Sequence, residues 1–186
     1  MTRFITLFLF FNFALPAQED QTSFMERYFQ ARASYEKLDE MHAFYAGSSY
    51  PLEEYMKRYY SFRDAYRTIP KYHAQFAASS HSPEEFEKRY YQIKAVYPEL
   101  YDLHGYFAAS EHTLETFQAR YNEIKASHPK LKKIHGAYAG SSHDLAEFLR
   151  RYNSAKASYP KCKDAHSTFA ASKLILDKPG HQPGTP

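Results

Sequence analysis

Apolar residues return every three or four positions along most of this chain, and the whole pattern returns every 31 residues. In the third unit Phe86, Tyr90, Ile93 and Tyr97 stand at intervals of four, three and four, which predicts one buried stripe of an α-helix. Leu100, Leu103, His104 and Phe107 predict a second helix behind it. Ser82-Pro83-Glu84-Glu85 reads as an N-cap, a proline in the first turn and a capping-box glutamate. Asp144 with Glu147 repeats that start in the fifth unit, and Asp20 and Thr113 hold the same cap position in the first and fourth. Pro98 ends the first helix and is placed to open the second, which runs out at Ala108-Ala109-Ser110. In the fourth unit Gly140 stands where a glycine can end a helix. Each unit therefore reads as a hairpin of roughly 13 and 11 helical residues joined by a tight turn.

Two short amphipathic helices cannot bury both stripes against each other alone. Repetition at a fixed spacing in this range marks stacked supersecondary units that share a core. The expected fold is all-α: a solenoid of five stacked 31-residue helical hairpins, one domain over residues 18–177. Gly-marked hairpin turns with alternating flanks are not found, so no strands are expected. The units resemble tetratricopeptide-type hairpins in general plan only. That family's 34-residue period and its Trp, Leu-Gly, Ala and Pro marks are missing, so no functional residue follows from the likeness.

The two ends break the pattern. Arg3, the apolar run Phe4 to Phe13 and Ala14-Leu15-Pro16-Ala17 have the layout of a cleaved signal peptide over residues 1–17. The run is shorter than the ~20 apolar residues a helical span needs, and no later segment reaches that length. The expected location is secreted, extracellular or periplasmic. At the other end Leu174-Ile175-Leu176 is expected to cover the open end of the array. Residues 178–186, rich in Pro and Gly, read as a flexible tail.

Composition adds less. The formal net charge of +3 makes no strong electrostatic statement, but its distribution is uneven. Repeat one carries Glu26, Glu36, Asp39 and Glu40, with Glu53 at the start of repeat two, whereas repeats four and five carry Lys130, Lys132, Lys133, Lys161 and Lys163. Head-to-tail contacts or a polyanion at the basic end would fit that drift. Cys162 is the single cysteine, so no internal disulfide forms, and its equivalents Leu38, Ile69, Leu100 and Leu131 give it a core slot.

Five columns are the same in every unit: the Arg27, Tyr28, His42, Ala46 and Ser48 series. The His42, His73, His104, His135 and His166 column lies within the apolar stripe, and buried imidazoles hydrogen-bonded to Ser or Tyr are expected. Neighbouring helices pack about 8–10 Å apart, while two ligands of one zinc lie within about 4 Å of each other. One ion therefore cannot bridge the column, and no metal site is assigned. His81, His112 and His143 occupy the linkers, where they could reach the first column. The Arg27 series follows Glu54, Glu85 and Glu147 by four residues in three units, which predicts i,i+4 ion pairs.

Candidate binding residues are the second basic column, Arg32, Arg63, Lys94, Lys125 and Lys156, and the off-stripe aromatics Phe29, Tyr60 and Tyr91. Tyr50 and Tyr106 also read as exposed. Repeated cations could follow a polyanion or an acidic partner, and exposed aromatics suit protein and carbohydrate surfaces. No nucleophile elbow, phosphate-binding glycine loop or His-Glu-x-x-His occurs, so no catalytic residue and no cofactor is assigned. The expected function is non-enzymatic binding of another macromolecule, a protein or an anionic polymer, through one solenoid face. Nucleic acid is disfavoured, and self-association through stacked open ends, or a His-based metal or haem site, is the alternative.

Overall fold

The structure, a computed structural model, describes residues 22–67, 69 and 72–177. The leader read over 1–17, the cap position Asp20 and the tail 178–186 lie outside the described residues. Among the described residues the protein is all-helical. Five longer helices, α1 (Phe24–Ser34), α3 (Leu52–Ala65), α5 (Pro83–Val96), α7 (Leu114–Ser127) and α9 (Leu145–Ser158), alternate with five shorter ones. The shorter helices are α2 (Asp39–Gly47), α4 (His73–Ala78), α6 (Tyr101–Ala109), α8 (His135–Gly140) and α10 (Ala165–Ala171).

The caps explain where the long helices begin. Ser82, Thr113 and Asp144 each accept the N–H three residues on. The first helix starts later than its equivalents, because the reciprocal capping box there is Ser23 with Glu26. The short helices also start later than the proline suggests. Pro98 follows the C-cap Tyr97, and two successive turns, Leu100 N–H to Tyr97 O and Leu103 N–H to Leu100 O, lead into α6 at Tyr101. Proline therefore does not open the short helix, and the long helices end at the same register where Glu36 or Arg67 stands in its place.

Each long helix packs on the short helix that follows it, and the short helices pack on one another in the order α2, α4, α6, α8, α10. Where the sequence reading gives an open-ended array, α10 packs against α2 as well as α8, and the row of inner helices closes. The cause is a wedge. Outer helices of 11–14 residues carry Phe, Tyr and Ile, while inner helices of 6–9 residues carry Ala, Gly, Ser or Thr where they meet. A Cβ on Gly140 would sit 3.1 Å from the Tyr106 carbonyl, and one on Gly47 3.2 Å from Thr168 Cγ2 across the closing joint. Small residues inside and bulky ones outside curve each step the same way.

The closing joint uses the same bonds as an internal one. Tyr28 OH donates to Asp164 at 3.0 Å, as Tyr59 OH donates to Glu40 at 2.7 Å one unit along. Phe24 N–H donates to Ile175 O at 3.2 Å, and Phe24 packs edge-on against Phe169. Leu174 and Leu176 lie over a cluster built from Phe24, Met25, Tyr28, Ala43 and Ala46 of the first hairpin and Ala155, Cys162, Ala165 and Phe169 of the last. The segment expected to cover an open end instead covers this joint. Cys162 is buried, as is Ile69, although Leu100 and Leu131 of the same column are exposed, and burial pushes the Cys162 thiol pKa up.

Candidate functional site

The repeated arginines hold the inner helices by their C-terminal ends. The last carbonyls of a helix have no partners within it, and Arg89 supplies them. Its Nη2 donates to Phe107 O at 3.0 Å and to His112 O at 2.7 Å, and its Nε donates to Ala108 O. Arg27, Arg58, Arg120 and Arg151 repeat the arrangement on Tyr45, Phe76, Tyr138 and Phe169. Each guanidinium also lies over the ring of that same residue, at 4.3 Å for Arg27, Arg89, Arg120 and Arg151. The expected ion pairs are not the ones formed. Glu85 meets Lys88 and Glu147 meets Arg150, both on the exposed flank. Ser48, Ser79, Ser110, Ser141 and Ser172 close the same helix ends, each hydroxyl donating three residues back.

Four of the five residues in the first histidine column are buried and His73 is half-buried, and the partners of the four are main-chain carbonyls and not Ser or Tyr side chains. Nε2 of His42, His104, His135 and His166 lies 2.8–3.0 Å from the carbonyls of Tyr35, Tyr97, His128 and Tyr159, the C-cap residues of the outer helices. A carbonyl only accepts, so Nε2 carries the proton. Burial and the nearby Arg63 lower the pKa of His73, and its buried Nε2 finds no acceptor among the described residues. The linker histidines reach forward instead of toward this column. His81, His112 and His143 contact the carbonyls of Ser110, Ser141 and Ser172 in the next unit, and Tyr50 OH does the same to Ser79 O at 3.0 Å. Among the described residues no group of three His, Cys, Asp or Glu side chains could hold a metal ion.

The candidate binding columns stand together on the outer helices. Arg32, Arg63, Lys94, Lys125 and Lys156 are exposed, and Tyr91 is 46% exposed beside Lys94. Phe29 and Tyr60 are half-buried, edge-on against Tyr28 and Tyr59, with Arg63 over the Tyr60 ring. Tyr50 is half-buried and bonded. Tyr106, expected at the surface, points to the axis of the closed row, where its ring meets that of Phe44 at 6.0 Å and its hydroxyl bonds Ser167. Its pKa is raised by that burial. A well of about 140 Å³ beside this pair is lined by residues of all five inner helices, mostly small and apolar.

Two larger clefts open between successive hairpins, beside the starts of the inner helices. One of about 460 Å³ separates the third and fourth units and is lined by Glu99, Tyr101, Asp102, Tyr121, Lys125, Lys132 and Lys133. The other, about 640 Å³, separates the fourth and fifth and is lined by Lys133, Tyr152, Lys156, Lys163 and Asp164. Lys133 borders both. The ion pairs among the described residues involve Arg63, Lys88 and Arg150, so these lysines take no carboxylate partner. The equivalents of Lys130, Lys132 and Lys133 are Lys37, Asp39 and Glu40 in the first unit and Glu99, Tyr101 and Asp102 in the third. The basic drift seen along the sequence is therefore a local patch around two adjoining clefts. Lys125 and Lys156 of the candidate columns line it, while Arg32, Arg63 and Lys94 do not. Column reading missed Lys132, Lys133 and Lys163 as site residues because they vary from unit to unit.

No protein-family model, no curated protein and no solved structure matches this chain.

Proposed function

We propose that this is a secreted, non-enzymatic helical-repeat protein that binds another macromolecule through one face of its array of hairpins. One observation carries the reading. The polar side chains that recur in every unit, arginine, histidine and serine, are engaged with main-chain carbonyls inside the fold, His73 excepted. Among the exposed groups that differ between units, the lysines around the two clefts stand together. Stacking of open ends is less favoured as an alternative, because α10 and α2 cover each other.

The reading is tested by immobilising the chain and capturing partners from the medium in which it is exported. A retained macromolecule that soluble chain displaces is the expected result, and an empty column sinks the proposal. Export is tested separately with the native leader. The secreted chain should begin at Gln18, and a product that keeps residues 1–17 would overturn the leader.

A further inference from the structure

Lysines, carboxylates and tyrosines share both clefts, and that mixture narrows the ligand. We infer that the adjoining clefts form one site for an acidic polysaccharide, which rests on the reading above that the protein binds a macromolecule through this face. Lys125, Lys132 and Lys133 face one cleft, and Lys133, Lys156 and Lys163 the other, so Lys133 links them into one track of cations. Among the described residues these lysines hold no carboxylate, so an incoming anion displaces none.

The acidic residues between the lysines discriminate among anions. Glu99 and Asp102 line the first cleft and Asp164 the second. Beside a continuous phosphate chain they would repel, since like charges brought close cost energy. Beside a sugar they accept hydrogen bonds from hydroxyls while the lysines take its carboxylate or sulfate groups. Tyrosine presents an apolar ring face with a polar tip, suited to the two-sided character of a sugar ring. Tyr101, 54% exposed, offers such a face in the first cleft, where the buried Tyr121 reaches only the lining, and the half-buried Tyr152 lines the second. Successive packed helices lie about 8–10 Å apart, so the two clefts lie within reach of one short stretch of chain. A protein partner fits less well, because its interface would need a contiguous apolar centre, and here lysines separate the tyrosines.

Binding of four fluorescent probes to the intact chain tests the assignment: an alginate oligomer, dextran sulfate, polyphosphate of matched length and unmodified dextran. Alginate or dextran sulfate is expected to bind, with polyphosphate about tenfold weaker and dextran not detected. Lys133→Gln with Lys163→Gln should weaken the acidic sugar about tenfold or more, while the exposed pair Lys37→Gln and Lys57→Gln changes it less than about twofold. Glu99→Gln with Asp102→Asn should weaken the sugar and strengthen polyphosphate. All these side chains are exposed, so an unchanged helical spectrum establishes that each variant folds. Polyphosphate binding as tightly as the sugars, equal losses from both lysine pairs, or no sugar binding at all would each overturn the inference. If the capture experiment retains a partner that ignores Lys133→Gln and Lys163→Gln, this site is wrong and the broader reading stands. An empty column removes both.

Discussion

The choice of arginine at Arg27, Arg58, Arg89, Arg120 and Arg151 follows from what each side chain meets: several carbonyls around one helix end, with an aromatic ring beneath. A planar fork serves several acceptors at once, whereas a lysine ammonium is a single point. Arg89→Met should therefore cost about 2–4 kcal/mol in chemical denaturation, since it strands half-buried carbonyls of α6 as well as losing charged bonds. Arg89→Lys should recover only part of that, and full recovery would mean that charge alone is needed. Arg150→Ala, on an exposed ion pair, should leave the midpoint unchanged. The column itself was legible in the sequence, but its partners were not, because they are main-chain atoms about twenty residues on and every residue has a carbonyl. The glutamate four positions back was the only partner a side-chain reading could offer. Histidine divides along similar lines. His104→Leu deletes the bond to the Tyr97 carbonyl, while His73 has no such bond to lose, so His73→Leu should cost less at pH 7. Burial, with a smaller contribution from Arg63 and opposition from Glu40 and Asp64, holds the folded pKa of His73 below its ordinary value. Its neutral form then contributes stability fully above the unfolded value of about 6.5, and this is lost as pH falls through the folded value. Melting temperature should fall between pH 7 and 5, and less steeply in His73→Leu. An identical slope in the variant would remove His73 as a cause.

At the scale of the helices, packing decides against intrinsic preference. Alanine favours a helix over glycine by about 1 kcal/mol, yet a Cβ on Gly105 would lie 2.5 Å from Tyr72 Cδ1 and 3.1 Å from Gln75 Cδ. Tyr72 is buried, and its hydroxyl is bonded to Tyr101 O, so the ring cannot swing away freely. Gly105→Ala should therefore destabilise by about 1–3 kcal/mol. The same change in a Tyr72→Leu background should cost less, and denaturation of the four-member cycle measures that coupling. Strict additivity would show that the clash is not the cause. Tyr90→Ala and Tyr106→Ala extend the argument. Tyr90 fills the stripe between neighbouring hairpins, and its loss should cost about 3–5 kcal/mol. Tyr106 read as a surface residue because it stands outside the stripe that faces its own outer helix. The inner helices have a second buried side, toward the axis, which the periodicity of one hairpin cannot reveal. Tyr106→Ala should thus cost about 2–4 kcal/mol, and a change near zero would return the residue to the surface. Helix positions and most caps were legible because they depend on local chemistry. The delayed start of α1 was not, since Asp20 and Ser23 are both good caps and only packing chooses between them.

For the whole molecule, a fixed period establishes that each unit meets its neighbours alike, but not how far each step turns. That angle comes from the difference in bulk between the outer and inner helices, and four steps bring α10 onto α2, which closes the fifth joint. The row of Ala, Gly, Ser and Thr at the inner positions was the one available signal, and it carries no angle by itself. Closure has a consequence an open array does not share. In a linear stack each unit contributes its own stability plus its interfaces, and the terminal units are the weakest. In a closed row no hairpin is terminal, and the first and last described segments meet, with Phe24 N–H donating to Ile175 O and Ser23 beside Asp177. New ends can then be placed elsewhere. A permuted chain that joins Asp177 to Thr22 through a short Gly-Ser linker and begins at Glu99, ending at Pro98, cuts an exposed turn and keeps every joint. Backbone at such sites tolerates opening when little packing depends on it. The permutant should remain helical and monomeric and melt within about 5 °C of the parent, the shift expected for one or two kcal/mol. An open array would respond differently. Tethering its distant ends would strain it, and cutting its third hairpin would divide it into two short stacks. A permutant that unfolds, or that recovers its helix only by exchanging hairpins with a second chain, would mean that α10 and α2 do not form a joint equal to the others.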